Sequence, residues 1–144
     1  MVQTIASILK QNGPRIHSVA PDATVYDAIA IMAQSDVGAL LVLSEGSLIG
    51  IVSIKDYGNK VVLQGRTAQD TRVREIMTSP VVTIRPDITV EECIAVMTRY
   101  GIRHLPVFDK DELVGVITLA DLARALISHQ TFMLDQLMVY MGHK

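Results

Sequence analysis

Two short stretches of the sequence place a side-chain hydroxyl three residues before a carboxylate. They are Ser53-Ile-Lys-Asp56 and Thr118-Leu-Ala-Asp121. The spacing fits a helix capping box, in which hydroxyl and carboxylate satisfy free backbone N–H groups. A helix N-terminus is also where anionic ligands bind, so capping and ligand binding are compatible at these residues.

A basic pair interrupts the apolar stretch "GIRHLPVFD", residues 101–109. The guanidinium of Arg103 carries its donors in a fixed fork, and beside a helix N-terminus such a strand edge suits a phosphate. In the structural alternative, Arg103 reaches along the edge to water and His104 is a half-buried, hydrogen-bonded histidine. Pro106 fits an edge or the first positions of a strand. Both interpretations of the basic pair stay open on this evidence.

Other reactive residues give no catalytic or metal-binding pattern. Cys93 falls on an apolar helical stripe with no histidine at helical spacing, which predicts an inert core thiol. Four scattered histidines and one cysteine lack metal-ligand spacing, so a zinc site is not expected. The G-x-S-x-G, Gly-rich phosphate-loop and H-E-x-x-H motifs are missing. The sequence therefore predicts a protein that is not an enzyme.

Composition limits the remaining classes of function. A chain of 144 residues, 49% of them hydrophobic, fits one packed domain. With 13 Lys and Arg against 15 Asp and Glu, a general nucleic-acid or anionic-membrane surface is disfavoured. No apolar stretch approaches the roughly 18 residues of a membrane span, and no secretory signal is recognised. A single cysteine excludes an internal disulfide and favours a cytoplasmic location.

The candidate motifs belong to an internal repeat. Shifting the chain by 65 positions aligns residues 17–57 with 82–122 without a gap. Identical residues recur at matching places, among them Pro21 and Pro86, Thr24 and Thr89, Gly50 and Gly115, and Asp56 and Asp121. Such conserved spacing indicates two copies of one supersecondary unit.

Each copy has the pattern of an extended segment, a helix, two strands and a second helix. A T-x-x-[DE] pattern at Thr24 and at Thr89 predicts the first helix, and apolar spacing of i, i+3, i+4, i+7 gives it one buried face. Two β-rich runs around a polar turn then predict a hairpin. Neither copy can bury its small sheet alone, so we expect an α+β fold in which the sheets pack about a pseudo-twofold axis.

The segments "GIVSIKD", "GVITLAD", "VREIMTSPVVTIRPDITVEEC" and "GIRHLPVFD" resemble a tandem pair of cystathionine-β-synthase (CBS) domains, or Bateman module. The resemblance extends from about Ile16 to Ser128, and the linker is similar to stand-alone pairs of bacteria and plant organelles. The implied organisation is an N-terminal helix with repeat 1 (residues 1–66), a linker helix with repeat 2 (67–128) and a C-terminal helix (129–144), together one module.

The resemblance implies a regulatory sensor that binds an adenosine-containing ligand in the cleft between the repeats and acts on a separate protein. AMP is the first choice of ligand, with ATP, ADP, NAD or S-adenosylmethionine as others. In the family, the aspartate accepts the ribose hydroxyls and the preceding Ser or Thr contacts ribose or phosphate. A nucleotide-independent protein-interaction subunit is the alternative from another class.

The resemblance also implies two composite sites, each pairing the Ser/Thr and Asp of one repeat with the first hairpin strand of the other. One comprises Ile51, Ser53, Asp56, Met77, Thr78, Val82, Ile102, Arg103 and His104. The other comprises Val116, Thr118, Asp121, His17, Val37, Gly38 and Ala39. Lys55 and Pro106 join the candidates, Lys55 because the "SIKD" sequence leaves it free to meet a phosphate. The sites are expected to differ, since Arg103 and His104 align with Gly38 and Ala39.

The C-terminal segment "QTFMLDQLMVYM" is apolar around most of a helix. Its apolar residues are Phe132, Met133, Leu134, Leu137, Met138, Tyr140 and Met141. We expect part of this surface to form a homodimer, as the resemblance also implies, with methionines as adaptable contacts. The alternative is a helix that only covers its own core.

Overall fold

The computed structural model describes residues 3–13 and 15–141. The helices are α1 (Ile5–Asn12), α2 (Val25–Ser35), α3 (Ile54–Tyr57), α4 (Val73–Ile76), α5 (Val90–Tyr100) and α6 (Leu119–Tyr140). The strands are β1 (Ser18–Val19), β2 (Ala39–Ser44), β3 (Ser47–Ser53), β4 (His104–Asp109) and β5 (Glu112–Thr118). A π-helical turn, Gly58–Val62, continues α3. The predicted α+β class and the order of elements in each repeat are confirmed.

The first helix of each repeat begins where the sequence predicted. The hydroxyls of Thr24 and Thr89 each accept a hydrogen bond from the backbone N–H three residues later, at 3.1 and 3.0 Å. These bonds satisfy N–H groups that have no partner inside the helix. The predicted stripes are buried at three positions in each helix: Val25, Ala28 and Met32 in α2, and Val90, Cys93 and Met97 in α5.

The two repeats share one strand register. In the first, β1 pairs parallel to β2 and β2 antiparallel to β3; in the second, β4 pairs antiparallel to β5. Each cross-strand pair of the repeat 1 hairpin has an equivalent pair 65 residues later in repeat 2. Ala39–Ser53 corresponds to His104–Thr118, and Val42–Gly50 corresponds to Val107–Gly115. The parallel pair Val19–Val42 likewise corresponds to the bridge Ile84–Val107. Each capping-box Ser or Thr therefore ends the second strand of its hairpin.

The chain folds into two units. One is Ile16–Val82, and the other combines the described parts of Met1–Arg15 and Thr83–Lys144. Helix α4, which precedes repeat 2 in sequence, thus belongs to the unit of repeat 1, and α1 belongs to the unit of repeat 2. The boundary predicted between residues 66 and 67 separates the two sequence repeats. In the structure, the helix that precedes each repeat in sequence instead belongs to the unit of the other repeat.

The leading helices dock in the same way. Val73 N–H donates to the carbonyl of Ala23 at 2.9 Å, and Ile5 N–H donates to that of Ile88, the aligned residue, at 3.0 Å. A long side chain also packs over a strand glycine in each unit: Met77, which directly follows α4, over Gly50, and Leu9 of α1 over Gly115. Hydrogen bonds and close packing together fix each leading helix on its hairpin.

Helix α6 extends well beyond the repeat. The predicted second helix of repeat 2 and the predicted C-terminal segment form one continuous helix of 22 residues; residues 142–144 lie outside the described residues. Leu122 and Ala125 are buried, whereas every residue from 131 to 141 is exposed. Within the described chain, no helix is both long and apolar enough to cross a membrane.

Candidate functional site

Asp56 is held at the start of α3 by a reciprocal capping box. Ser53 caps the helix by accepting from Asp56 N–H, and Asp56 Oδ2 accepts from Ser53 N–H at 2.9 Å and from Ser53 Oγ at 3.1 Å. The other carboxylate oxygen, Oδ1, lies 3.1 Å from Lys60 Nζ, which also donates to the carbonyl of Ile76 at 2.9 Å. One carboxylate oxygen is thus fixed by the helix start, and the other meets a cation.

The segment after α4 lies beside this capping box. Thr78 and Ile51 exchange two backbone hydrogen bonds of 2.8 and 3.1 Å, which adds an extended residue to the edge of β3. Met77 packs over Gly50 in the same strand. The unit of repeat 1 therefore brings together five predicted site residues: Ile51, Ser53, Asp56, Met77 and Thr78. Val82 is half-buried at the end of the same unit.

Asp121 repeats this arrangement at the start of α6. Its Oδ2 accepts from Thr118 N–H at 2.9 Å, and Thr118 Oγ1 accepts from Asp121 N–H at 3.1 Å. Its Oδ1 accepts from the guanidinium of Arg124 at 2.6 Å and from the side-chain amide of Asn12 at 3.3 Å. The second aspartate therefore has a partner from α1, in addition to a cation from its own helix.

The basic pair enters β4 beside Asp121. His104 pairs with Thr118 across the hairpin, and Leu119 N–H donates to the Arg103 carbonyl at 2.9 Å. Burial lowers the pKa of His104, and Arg103 lowers it further, while Asp121 acts in the opposite direction. Arg103 is exposed and forms no ion pair with the described part of the chain. The permanent positive charge of this edge is therefore that of Arg103, since His104 is held toward its neutral form.

The corresponding edge of repeat 1 is smaller and uncharged. Gly38 offers its carbonyl to Ile54 N–H at 3.0 Å, and Ala39 is buried opposite Ser53. Val37 is half-buried, and the carbonyl of half-buried His17 accepts from the N–H of β2 residue 41 at 3.0 Å. The two strand edges therefore differ in side-chain size and charge, and the expected difference between the two binding sites stays a prediction.

The remaining predicted site residues differ in how deeply they are buried. Val116 pairs with Pro106, which is buried as the third residue of β4, and Ile102 is half-buried. Lys55 is exposed and has no side-chain hydrogen bond to the described residues. Each unit thus holds its own aspartate and its own hairpin. The pairing of an aspartate with the hairpin of the other repeat stays a prediction.

Sequence reasoning missed three side chains that contact the aspartates. Lys60 and Arg124 lie four and three residues after their aspartates, a spacing at which helical side chains meet. That signal was present in the sequence. Asn12 lies 109 residues from Asp121, and nothing in the local sequence indicates their contact.

Neither Cys93 nor the histidines form a metal centre in the described structure. No group of three His, Cys, Asp or Glu residues is gathered in residues 3–13 and 15–141. Cys93 is fully buried on the inner face of α5, as predicted, and burial raises its pKa to about 11. The thiol is therefore protonated at neutral pH, which makes it a poor nucleophile.

The family model for the CBS domain matches the chain twice, over residues 7–57 and 73–128. The chain belongs to the CBS-domain family. It is 34% identical over 146 aligned residues to the mitochondrial CBS domain-containing protein CBSX3 of Arabidopsis thaliana, covering 95% of this chain and 71% of that protein. CBS-pair proteins of this kind are regulatory modules.

Solved structures share the fold. A CBS-domain protein from Burkholderia ambifaria, described as a signal-transduction protein, superimposes with a TM-score of 0.86 at 44% identity, covering 89% of this chain and 96% of that one. The CBS domain pair of MJ0100, solved with 5'-methylthioadenosine and S-adenosyl-L-methionine, gives 0.79 at 24% identity, covering 90% and 99%. At that identity the second likeness shows the fold alone.

Proposed function

We propose that this protein is a regulatory sensor of an adenine nucleotide, with AMP as first choice and ATP, ADP or NAD as others, and that it acts on a separate partner protein. The observation that carries the proposal is the matched environment of Asp56 and Asp121. Both carboxylates are nearly buried, with 13% and 12% of their side-chain surface exposed, and both use Oδ2 in a capping box. Two repeats that diverge elsewhere thus preserve one acceptor geometry.

The chemistry of these carboxylates suits a ribose. An ionised carboxylate only accepts hydrogen bonds, so a vicinal diol with two O–H donors complements it. The cations on Oδ1 are exposed, 44% for Lys60 and 64% for Arg124. Because each cation is the end of a long and largely exposed side chain, it can move into solvent when ribose hydroxyls take its place on Oδ1. A displaced Lys60 ammonium or Arg124 guanidinium then becomes a donor for the ligand phosphate.

The strand edges complete the proposed sites. Following the family resemblance, we assign Arg103 and His104 to the ligand of Asp56, and Gly38 and Ala39 to the ligand of Asp121. The two edges differ in charge and size, which supports unequal affinities. The 5'-methylthioadenosine and S-adenosyl-L-methionine of the MJ0100 pair contain adenosine, which agrees with ribose recognition, although the phosphate preference proposed here rests on this chain's cations. The lone buried cysteine agrees with a reducing compartment, and we propose the cytoplasm.

Thermal unfolding with adenosine, AMP, ADP, ATP, NAD and S-adenosylmethionine tests the proposal. A ligand present at about 100 times its dissociation constant adds about 2.7 kcal/mol, which raises the melting temperature by several degrees. Asp56→Asn and Asp121→Asn keep the side-chain shape but remove the charge, and each is expected to abolish the shift from its own site. Asp27→Asn is the matched control, because Asp27 is an exposed carboxylate at the same helical position of α2.

The outcomes separate two classes of function. Loss of the shift in an Asp56 or Asp121 variant, but not in Asp27→Asn, supports the sensor. If no adenosine compound changes the melting temperature of the natural sequence, the proposal fails and a nucleotide-independent interaction subunit becomes the better account.

A further inference from the structure

Lys60 contacts two acceptors in the unit of repeat 1. Its Nζ lies 3.1 Å from Asp56 Oδ1 and donates to the carbonyl of Ile76 at 2.9 Å. Ile76 is buried and ends α4, so its carbonyl is one of those that a helix leaves without an internal partner. An ammonium group has three N–H donors. Lys60 can therefore keep the Ile76 carbonyl while it exchanges Asp56 for another acceptor.

The cation beside Asp121 has no second acceptor of this kind. Arg124 donates to Asp121 Oδ1 at 2.6 Å and makes no other side-chain hydrogen bond to the described residues. The difference follows from the leading helices. Ile76 and Ile8 each lie three residues after the N–H that docks its helix, but α4 ends at Ile76, whereas α1 continues past Ile8 to Asn12. The carbonyl of Ile8 is therefore bonded inside its own helix.

The two cations should respond differently when ribose hydroxyls occupy the carboxylates. Arg124 loses its one acceptor among the described residues and moves into solvent, where ordering it again for a phosphate costs conformational entropy. Lys60 keeps the Ile76 carbonyl, which lies 2.9 Å from its present position. Its positive charge therefore stays beside the ligand. A cation held there attracts a phosphate and offsets the repulsion between that phosphate and the Asp56 carboxylate.

We propose that Lys60 makes the Asp56 site selective for phosphate-bearing adenosine compounds over adenosine itself, and that the Asp121 site discriminates much less between them. The inference rests on the proposed function and assigns a chemical class of ligand to each of its two sites. Lys60 belongs to the same unit as Asp56. Its contribution can therefore be measured separately from that of the Arg103 edge.

Calorimetric titration of AMP and of adenosine into an Asp121→Asn chain isolates the Asp56 site. The measured quantity is the ratio of the AMP affinity to the adenosine affinity. Lys60→Gln removes the charge but keeps a polar side chain, and it is expected to lower this ratio by about tenfold or more, the usual effect of losing a hydrogen bond to a charged group. The adenosine affinity itself should stay within about threefold, because that ligand carries no charge for Lys60 to meet.

Three variants serve as controls. Lys60→Arg keeps the charge and should keep most of the preference for AMP. Lys10→Gln removes an exposed lysine of α1 that has no side-chain hydrogen bond to the described residues, and it should leave the ratio within about twofold. In an Asp56→Asn background, Arg124→Gln should lower the ratio at the Asp121 site by no more than about threefold. Circular dichroism and thermal unfolding check the fold of each variant.

Ionic strength gives a second measurement that needs no substitution of Lys60. Sodium chloride screens the attraction between the ammonium and a phosphate, so the ratio for the Asp121→Asn chain should fall as salt is added. Adenosine binding should change little over the same range. A ratio that salt leaves unchanged would overturn the inference even if Lys60→Gln failed to fold.

The remaining outcomes separate this inference from the proposed function. If both compounds bind and Lys60→Gln leaves the ratio unchanged, the inference fails and the sensor stands. Equal losses in Lys60→Gln and Arg124→Gln would refute the role of the Ile76 anchor. If neither compound binds to the Asp121→Asn chain, the Asp56 site is not a nucleotide site and the inference fails; if neither binds to the natural chain, the proposed function fails with it.

Discussion

At the scale of single residues, His104 makes stability depend on pH. Its pKa is lowered mainly by burial and then by Arg103, with Asp121 opposing them, so the unfolded chain binds a proton more readily than the folded one. The free energy of unfolding that depends on neutral His104 is therefore fully present above pH 6.5, the ordinary pKa of histidine. It decreases as the pH falls below that value.

His104→Ala tests this dependence, because Ala39 shows that the aligned position of the other hairpin accommodates alanine. We expect the melting temperature of the natural chain to fall more steeply than that of His104→Ala between pH 7 and 5, while the slopes agree above pH 7. The slopes are compared, and not the absolute values, because the substitution also removes packing. Parallel curves through the acidic range would show that His104 carries no such stability.

A second residue-scale difference concerns Asn12. Its amide donates to Asp121 Oδ1, whereas the oxygens of Asp56 are bonded only by Ser53 and Lys60 in the described chain. If Asp121 binds ribose, the ligand must displace this amide, and a hydrogen bond to a charged group contributes about 1.5–3 kcal/mol. We therefore predict that Asn12 lowers the nucleotide affinity of the Asp121 site.

Asn12→Ala is expected to increase nucleotide affinity at Asp121 by about tenfold. Calorimetric titration in an Asp56→Asn background isolates that site, and Gln11→Ala, an exposed neighbour on α1, is the control. Unchanged affinity in Asn12→Ala, with measurable binding in the background protein, would contradict the role of Asn12 without contradicting the sensor.

At the scale of elements, the leading helices depend on two strand glycines. A Cβ on Gly50 would lie 2.6 Å from the sulfur of Met77 and 3.2 Å from its Cβ, so α4 itself would have to move. A Cβ on Gly115 would meet only the flexible end of Leu9, at 2.8 Å. Gly50→Ala is therefore expected to cost about 1–3 kcal/mol of unfolding free energy, and Gly115→Ala less.

Urea unfolding of the two variants shows which substitution lowers the free energy of unfolding more. Gly58→Ala is the control, because Gly58 has right-handed helical angles and no atom within 4 Å of an added Cβ. That substitution should be neutral or stabilising by up to about 1 kcal/mol. A larger loss for Gly115→Ala than for Gly50→Ala would show that α4 yields more easily than α1.

The elements that sequence alone predicted are those specified by nearby residues. Threonine caps, apolar stripes and hairpins follow from contacts within a few positions, and all of them are present. The docking of α1 and α4 depends on contacts tens of residues away, as in Leu9 over Gly115, so local pattern could not reveal it. The boundary placed at residue 128 marked the end of the repeat, yet no Gly or Pro occurs between Gly115 and Gly142 to stop α6.

At the scale of the whole molecule, Cys93 offers a single built-in probe of unfolding. The thiol is fully buried, and its pKa of about 11 leaves very little thiolate at pH 8. Both effects suppress its reaction with a disulfide reagent, because the thiolate is the reacting species and must also be reached. We expect Cys93 of the native chain to be labelled slowly. The labelling rate should increase with urea concentration in parallel with the loss of the helical circular dichroism signal.

Thr98→Cys gives the matched comparison, because residue 98 is exposed on the same helix and a thiol there should react at once without denaturant. The difference between the two rates then measures the free energy of opening around α5. Cys93 lies on the buried face of α5, the helix that leads to the Arg103 edge, so a bound adenine nucleotide that stabilises this unit should slow its labelling further. Rapid labelling of Cys93 in the native protein would instead show that this core opens far more readily than its complete burial indicates.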